Sequence, residues 1–384
     1  MDYRYYLPTE ILFGAGTLGR LHERKLPGKH GLLVTTAGKS VRRLGYLDRV
    51  EKELSQAGVV CTVFDKVSPN PTRENVMEGA AMAKAAGCDF LIALGGGSAI
   101  DAAKAIAVMA VNDGDCWDYV RDGSGKGLPL EKKPLPLIAI PTTAGTGSEA
   151  DSGCVLSYPQ RKEKVSFGTV WSFPVLSVVD PELMVSVPPK LTAYQGFDVL
   201  FHGMECYLSR AATPLSDLLC LDAIQRVVKF LPRAVSQGND LEAREEMAWA
   251  STEAGMCLTY SGLTAQHSLE HALSGFYPEL PHGAGLILIG RAYLARCARQ
   301  AAYQERMEKL AIAMGAEPDG QGAVKALEEL MERCGVGTLK MSHFGIERKA
   351  LEAVAEQSID RRYANERAPL SREEALEILE QSYA

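Results

Sequence analysis

The sequence predicts a Rossmann-like α/β domain with a parallel sheet over residues 1–187, followed by an all-helical domain over residues 188–384. In the first half, short uninterrupted apolar runs alternate with helical periods, which is typical of buried parallel strands. From Leu191 onward the pattern is almost wholly helical. The 384 residues also exceed the roughly 100–200 residues of one ordinary domain. We place the boundary at the pair Pro188 and Pro189.

The elements of the first half follow one another in a regular order. Apolar runs predict five strands, at HGLLVTT, VVCTVFDKV, DFLIALGGG, PLPLIAIPTT and FPVLSVVD. The first three are followed by predicted helices, at SVRRLGYLDRVEKELSQAG, TRENVMEGAAMAKAAG and SAIDAAKAIAVMA. The first two of these helices stop at a glycine, the residue that most readily closes a helix. Strands that alternate with helices in this way predict a parallel sheet.

Composition and charge exclude several classes of function. The formal net charge is −7 and no long basic run occurs, which argues against nucleic-acid binding and against a polybasic membrane anchor. No apolar stretch reaches the roughly 18 residues of a membrane span, and the N-terminus does not resemble a signal peptide. The nine cysteines are scattered without a CxxC pair, which predicts reduced thiols in a cytoplasmic protein.

A glycine-rich turn follows the third strand, in LIALGGGSAIDAAKAIA. Gly96 and Gly97 let the backbone approach a ligand, and free amides at the start of the following helix favour a phosphate. Ser98 is a suitable N-cap, and Asp101 stands at the capping-box position. Ile100 replaces the third glycine of a dinucleotide fingerprint. The turn therefore predicts a nucleotide site of an unusual kind, or else a simple connection between packed elements.

A second loop rich in glycine and hydroxyls leaves the fourth strand, in IPTTAGTGSEAD. It carries Thr142, Thr143 and Thr146 among glycines. Open parallel sheets bind ligands at the carboxyl ends of their strands. Two such loops at neighbouring strand ends favour a nucleotide site over a structural connection.

Histidines and one aspartate form pairs with helical spacing in the second half. Asp198 and His202 are four residues apart, as are His267 and His271, so each pair shares one helix face. His282 follows in a predicted loop. Carboxylate and imidazole donors without thiolates suit Zn²⁺ or Fe²⁺. A lone histidine in an apolar helix is usually a core residue, but this grouping predicts a metal site.

Two acids lie near the candidate ligands in sequence, and three further histidines lie elsewhere in the chain. Glu205 and Glu270 are predicted to be solvated or to support the ligands rather than to bind metal. The remaining histidines, which lack such neighbours, are predicted to be surface residues: His22, His30 and His343.

Together these motifs resemble the iron-dependent, or group III, alcohol dehydrogenases, whose more distant relatives include glycerol dehydrogenase and dehydroquinate synthase. The resemblance covers nearly the whole chain and rests on GGGSAIDAAKAIA, PTTAGTGSEAD, VVDPELM, GFDVLFHGMECY and HSLEHALSGFYPELPHG. It implies a dehydroquinate synthase-like fold in which an α/β dinucleotide-binding domain and a helical domain hold one divalent metal between them.

The resemblance also implies roles for particular residues. The positions that match the metal ligands are Asp198, His202, His267 and His282, and His271 matches a histidine beside the nicotinamide. The positions that match cofactor contacts are Asn70, Gly97, Ser98, Thr142, Thr143, Thr146, Lys164 and Leu183. Two departures from the family pattern are Glu270, where many relatives have a small or apolar residue, and a segment FYPELPH that is one residue longer.

The implied reaction is hydride transfer between a nicotinamide and a small primary alcohol or aldehyde, with the metal as Lewis acid. His271 is predicted to relay the alcohol proton. Aromatic and apolar residues near the ligand motifs predict an apolar substrate pocket for alcohols such as butanol: Phe197, Leu200, Phe201, Phe276 and Tyr277. The alternatives are a dehydroquinate synthase-type lyase, a glycerol dehydrogenase-like polyol oxidoreductase and a noncatalytic metal-binding scaffold.

The first strand–helix junction bears on the choice of cofactor. Thr36 stands where NAD-preferring relatives often have an aspartate, and Lys39, Ser40, Arg42 and Arg43 follow it. These residues would accept a 2′-phosphate, which favours NADP over NAD, although they are also consistent with an ordinary exposed basic surface. The family favours Fe²⁺ with Zn²⁺ as an alternative. The N-terminal YRYYLPTEILFG resembles a segment that pairs in a homodimer.

Overall fold

The computed structural model describes residues 3–383. Its strands are β1 (Glu10–Phe13), β2 (His30–Thr36), β3 (Val60–Val67), β4 (Phe90–Gly95), β5 (Leu137–Pro141), β6 (Gly153–Tyr158), β7 (Glu163–Gly168) and β8 (Leu176–Val179). The first five helices are α1 (Ser40–Arg43), α2 (Tyr46–Gln56), α3 (Arg73–Ala86), α4 (Gly97–Met109) and α5 (Cys116–Tyr119). The helices of the second half are α6 (Pro189–Leu208), α7 (Pro214–Ser236), α8 (Leu241–Ser261), α9 (Ala265–Phe276), α10 (His282–Ala298), α11 (Gln304–Ala313), α12 (Gly322–Arg333), α13 (Leu351–Gln357) and α14 (Arg372–Gln381).

Six strands form one parallel sheet in the order β1-β8-β5-β4-β2-β3. Every residue of the two central strands β4 and β5 is buried, because helices cover both faces, as expected for a parallel sheet. The predicted fold class is therefore confirmed. The edge strand β1 and the antiparallel hairpin of β6 and β7 were not predicted, since short half-exposed strands lack a continuous apolar run.

The second half is helical throughout the described residues, and one large apolar core connects its helices. The boundary proposed at 187/188 lies in the segment between β8 and α6. Among residues 3–383 no helix is both long enough and apolar enough to cross a bilayer. All nine cysteines are free thiols, and seven of them are buried.

Two helix starts differ from the prediction. Helix α4 begins at Gly97 with Gly96 as its N-cap, and no side chain caps it, so Ser98 lies inside the first turn and Asp101 is not part of a capping box. His282 is the first residue of α10 rather than a loop residue. Helix α4 thus begins two residues earlier than a cap at Ser98 would indicate.

The loop between β5 and β6 packs directly on helix α8. The backbone amide of Gly145 donates to Ser251 Oγ at 2.9 Å, and Thr252 Oγ1 donates to Glu149 Oε1 at 2.9 Å. A Cβ atom added at Gly255 would lie 2.1 Å from the carbonyl oxygen of Gly147. The absence of a side chain at Gly255 therefore allows the nucleotide-side loop to contact the helical half at backbone distance.

Candidate active site

Three helices bring four candidate ligands to one point. Helix α6 carries Asp198 and His202 one turn apart, α9 carries His267, and α10 begins with His282. The Asp198 Oδ1 atom lies 3.5 Å from the Nε2 atom of each of the three histidines. The i, i+4 spacing on α6 explains the first pair, whereas the other two ligands depend on how α9 and α10 pack against α6.

This arrangement fits a divalent metal ion. Ligands about 2.1 Å from a tetrahedral Zn²⁺-like centre are separated by edges of about 3.4 Å, close to the spacing around Asp198 Oδ1. Both Asp198 Oδ1 and His267 Nε2 are buried without a hydrogen-bond partner. Because buried polar atoms are nearly always paired, these atoms indicate a site built to bind a cation.

Each of two ligand histidines is backed by a buried carboxylate. Glu205 contacts His267 Nδ1, and Glu270 contacts His282 Nδ1. Both glutamates are fully buried, so the expectation of solvated acids is wrong, while their supporting role agrees with the prediction. Such carboxylates orient a ligand histidine and raise its basicity. Lys164 Nζ lies 3.1 Å from Glu270 Oε2 and so reaches across from β7 in the first half.

Burial and charge act against each other at the ligands. Burial opposes ionisation of Asp198, but the neighbouring His202 and His282 outweigh it and hold its pKa below the ordinary range. Burial lowers the pKa of His202 to about 4. Burial also acts to lower the pKa of His267, but the charge of Glu205 outweighs this effect and raises the pKa to about 9. The pocket thus stabilises ionised Asp198, which suits a cation.

His271 lies beside the ligands and faces Arg362. The Arg362 Nη2 atom donates to His271 Nδ1 at 3.0 Å, since a guanidinium has no acceptor. Burial, and then the charge of Arg362, lower the pKa of His271 well below its ordinary value. A neutral ring that accepts at Nδ1 must carry its proton on Nε2.

A cavity of about 500 Å³ connects the candidate ligands to the glycine loops. The predicted residues that line it are Asn70, Gly97, Ser98, Asp101, Thr146, Lys164, His202, His267, His271 and His282. A Cβ added at Gly97 would lie 2.7 Å from Thr146 Oγ1, so the two predicted loops face each other closely. A separate pocket is lined by Thr36 and Lys39 together with Arg42, Arg43 and Asp65.

Other predicted cofactor residues lie outside the linings of these two pockets. Gly96 and Thr143 pack against each other, since a Cβ added at Gly96 would lie 2.9 Å from Thr143 Oγ1. The Thr142 amide donates to the Gly95 carbonyl at 2.9 Å. Ser40 begins helix α1. Leu183 is buried in the core under the sheet. The structure thus places these residues in supporting positions around the loops.

The expected apolar substrate pocket is wrong. Phe197, Leu200 and Phe201 are buried in the helical core, and neither they nor Phe276 and Tyr277 line the cavity. Helix periodicity turns residues 197 and 200 away from residues 198 and 202, and Phe201 packs against Gly290 of α10, where an added Cβ would lie 2.5 Å from its ring.

Asp101 belongs to a charged network that the sequence did not reveal. Lys104 Nζ donates to Ser148 Oγ at 2.9 Å and to Asp151 Oδ1 at 2.8 Å. Ser148 Oγ in turn donates to Asp101 Oδ1 at 2.6 Å. The Lys104 side chain is completely buried. The three-residue spacing of Asp101 and Lys104 was the available signal, and this network joins helix α4 to the second glycine loop.

The remaining histidines are partly as predicted. His22 and His343 are exposed, and His22 Nδ1 lies 2.6 Å from Glu53 Oε2. His30 is half-buried and its Nε2 lies 2.9 Å from Thr62 Oγ1. None of the three is near the candidate ligands.

Comparison with known proteins identifies the class to which this fold and site belong. Residues 8–181 match the family of iron-containing alcohol dehydrogenases, and residues 192–383 match the C-terminal part of the Fe-containing alcohol dehydrogenase family. The chain belongs to this family. It is an oxidoreductase that interconverts small alcohols and aldehydes with a nicotinamide cofactor, and the lyase alternative is not favoured.

Individual relatives agree with this assignment. Alcohol dehydrogenase 4 of Schizosaccharomyces pombe is 40% identical over 282 residues, which are 73% of this chain and 65% of that protein. The NAD-dependent methanol dehydrogenase of Bacillus methanolicus is 32% identical, and the match covers 93% of both chains. The crystal structure of an archaeal halo-thermophilic Red Sea brine pool alcohol dehydrogenase is 34% identical and superposes with a TM-score of 0.94, covering 100% of this chain and 99% of that one.

Proposed function

We propose that this protein is an Fe²⁺-dependent alcohol dehydrogenase and aldehyde reductase that uses NADP(H) in preference to NAD(H). The observation that carries the metal assignment is the position of Asp198 Oδ1, 3.5 Å from the Nε2 atoms of three histidines. The cavity next to it reaches the glycine loops, where a dinucleotide would bind. Zn²⁺ has the same ligand preferences, so it is the alternative ion.

When bound, the metal would act as a Lewis acid on the substrate oxygen, and the nicotinamide would exchange hydride with the substrate carbon. Asp198, His202, His267 and His282 would hold the metal. The carboxylates behind His267 and His282 keep these rings in the orientation in which Nε2 points to the centre.

His271 is the proposed proton-transfer residue. Its Nε2 carries the proton when Nδ1 accepts from Arg362, and the ring lines the cavity. In the reductive direction Nε2 can give its proton to the substrate oxygen as solvent returns a proton to the ring, and in the oxidative direction Nε2 can take the alcohol proton as its own proton leaves to solvent, so that the ring ends each step neutral. Arg362 keeps Nδ1 unprotonated, so only one tautomer of the neutral ring is available.

The preference for NADP rests on the second pocket. Lys39, Arg42 and Arg43 line it beside Thr36. Arg42 Nη2 lies 2.7 Å from Asp65 Oδ2, which neutralises the acid in this lining. Three basic side chains against one paired acid favour a 2′-phosphate.

The decisive experiment is the anaerobic oxidation of NADPH and NADH with butanal by Fe²⁺-loaded protein, beside a chelator-treated control. We expect turnover that is lost with the metal and a higher kcat/KM for NADPH. A higher kcat/KM for NADH would leave the dehydrogenase assignment intact and refute the role of Lys39, Arg42 and Arg43. Equal turnover after verified metal removal would refute the metal assignment.

We further propose a homodimer in the cytoplasm. The edge strand β1 pairs on one side only within the described residues, and Tyr3 and Tyr6 beside it are exposed. Both features suit pairing with a second copy.

A further inference from the structure

One short segment supplies positive charge to the cavity next to His271. Residues 361–365 form a 3-10 turn, from which Arg361, Arg362 and Asn365 line the cavity together with the ligand histidines. Arg362 is buried, with 8% of its surface exposed. An arginine in such a place requires compensation, because burying an isolated charge is costly.

Hydrogen bonds hold Arg362 in place, but not all of its N–H groups have a partner in the protein. Its Nε and Nη2 atoms donate to Asp360 Oδ2 at 2.9 and 2.7 Å, and Nη2 also donates to His271. No residue of the described chain accepts a hydrogen bond from its Nη1. This atom is also not among the fully buried polar atoms that lack a hydrogen-bond partner. One edge of the guanidinium is therefore fixed by protein and the other is free for a ligand.

Arg361 adds a second guanidinium with free donors. Its Nε atom lies 3.2 Å from Asp122 Oδ2, and neither of its Nη atoms donates to the described residues. About half of its side chain, 51%, is exposed. The pair of residues Arg361 and Arg362 thus offers several unused N–H groups on one wall of the cavity.

The two acids that line the cavity do not accept hydrogen bonds from these free N–H groups. Asp151 accepts from Lys104. Asp101 accepts from Ser148 and from the backbone amide of Val155, at 2.8 Å for the amide. Both acids are therefore already used by the network around Lys104.

The third cation of the wall is not available. Lys164 is paired with Glu270, and Arg361 and Arg362 are likewise paired, with Asp122 and Asp360. The N–H groups that remain without an acceptor are those of Arg361 and Arg362, beside the proposed proton-transfer residue.

We propose that Arg361 and Arg362 bind an anionic oxygen group of the substrate, so that the enzyme acts on short aldehydes and alcohols with a carboxylate at the far end. The inference rests on the proposed function and names its substrate class. In the reductive direction the aldehyde carbon accepts hydride from the reduced nicotinamide and its oxygen takes one proton, while the carboxylate is unchanged. The free Nη1 of Arg362 and the free Nη atoms of Arg361 suit this role, because charge-assisted hydrogen bonds from a guanidinium to a carboxylate are strong.

The test compares two aldehydes of equal carbon number, 4-oxobutanoate and butanal, with metal-loaded protein and saturating reduced cofactor. A hydrogen bond to a charged group discriminates by about 10- to 100-fold, so kcat/KM for 4-oxobutanoate should exceed that for butanal by this factor. Arg362→Met should lower the ratio of the two values at least about tenfold. Arg362→Lys, which keeps the charge, should retain part of the preference.

The ratio is the readout because Arg362 also contacts His271, and a general loss of turnover affects both aldehydes equally. Arg348→Met is the matched control, since Arg348 is exposed and paired with Glu380 away from the cavity, and it should keep the wild-type ratio. Butanal turnover without a preference for 4-oxobutanoate would overturn this inference and leave the proposed function standing. An unchanged ratio in Arg362→Met with a raised KM for the nucleotide would overturn it in favour of a cofactor contact. No turnover of either aldehyde by metal-loaded protein would overturn the proposed function itself.

Discussion

Two buried charged clusters face the same cavity, and they differ in how completely their polar atoms are satisfied. In the cluster around Lys104, the ammonium group donates to Ser148, Asp151 and the Gly153 carbonyl. In the cluster around Asp198, the central Oδ1 atom has no hydrogen-bond partner. The first cluster is complete as the protein folds, whereas the second leaves a buried acceptor unpaired.

The difference shows how a structural network can be told apart from a binding site. Both clusters are buried, and both contain acids next to bases, so burial and composition do not separate them. The two clusters are separated by whether their hydrogen bonds are satisfied, since an unpaired buried acceptor is costly unless a ligand completes it. Lys104 therefore holds a loop in place, whereas Asp198 is the candidate for binding an ion.

The largest expected effect comes from breaking the complete cluster. Lys104→Met leaves Asp151 buried without its cation, which should lower the free energy of unfolding by about 3–5 kcal/mol. Urea denaturation at neutral pH measures this change. The double variant Lys104→Met with Asp151→Asn should recover part of the loss, because it no longer leaves an uncompensated charge. Equal stability of the single variant and wild type would show that Lys104 is not structurally required.

A smaller effect is expected at Glu149, a buried acid near the Lys104 cluster. Burial raises its pKa from 4.5 to about 7. The folded protein thus retains a proton that the unfolded chain releases, so the stability from this group is present at low pH and is lost as the pH rises through about 7. Glu149→Gln should remove about 2–3 kcal/mol of pH dependence between about pH 5 and 8.

The matched control for this experiment is Glu131→Gln, since Glu131 is exposed. Urea denaturation at several pH values should show that the free energy of unfolding of this control depends on pH as it does in the wild type. The same pH dependence of the free energy of unfolding in Glu149→Gln would contradict the raised pKa of Glu149.

The smallest of the three effects tests the support behind the metal site. Glu270→Gln removes the charge behind His282 and the partner of Lys164, which should weaken metal binding by about 10- to 100-fold. Competition with a chromophoric chelator measures the affinity independently of activity. Glu279→Gln changes an exposed acid of the same segment and should bind metal as the wild type does. Unchanged affinity in Glu270→Gln would assign this residue to packing alone.

The sequence predicted the sheet, the helical half and four candidate ligands that the structure brings together, but several details of the site were wrong. Glu270 was predicted to be either solvated or a support of the ligands, and its contact with His282 depends on the packing of α9 against α10. Phe197 and Phe201 were assigned to the pocket because they neighbour the ligands in sequence. On a helix, adjacent residues point in different directions, so sequence proximity was misleading there.

Local patterns alone determined five of the strands, the two glycine loops and the i, i+4 pairs of Asp198 with His202 and of His267 with His271, because these depend on periodicities of a few residues. The tertiary structure decided which polar groups were left unpaired. The Lys104 network, the Glu270 support and the free donors of Arg361 and Arg362 join residues far apart in the chain. Whether a buried charge is satisfied depends on all of its neighbours in space, and no short stretch of sequence contains that information.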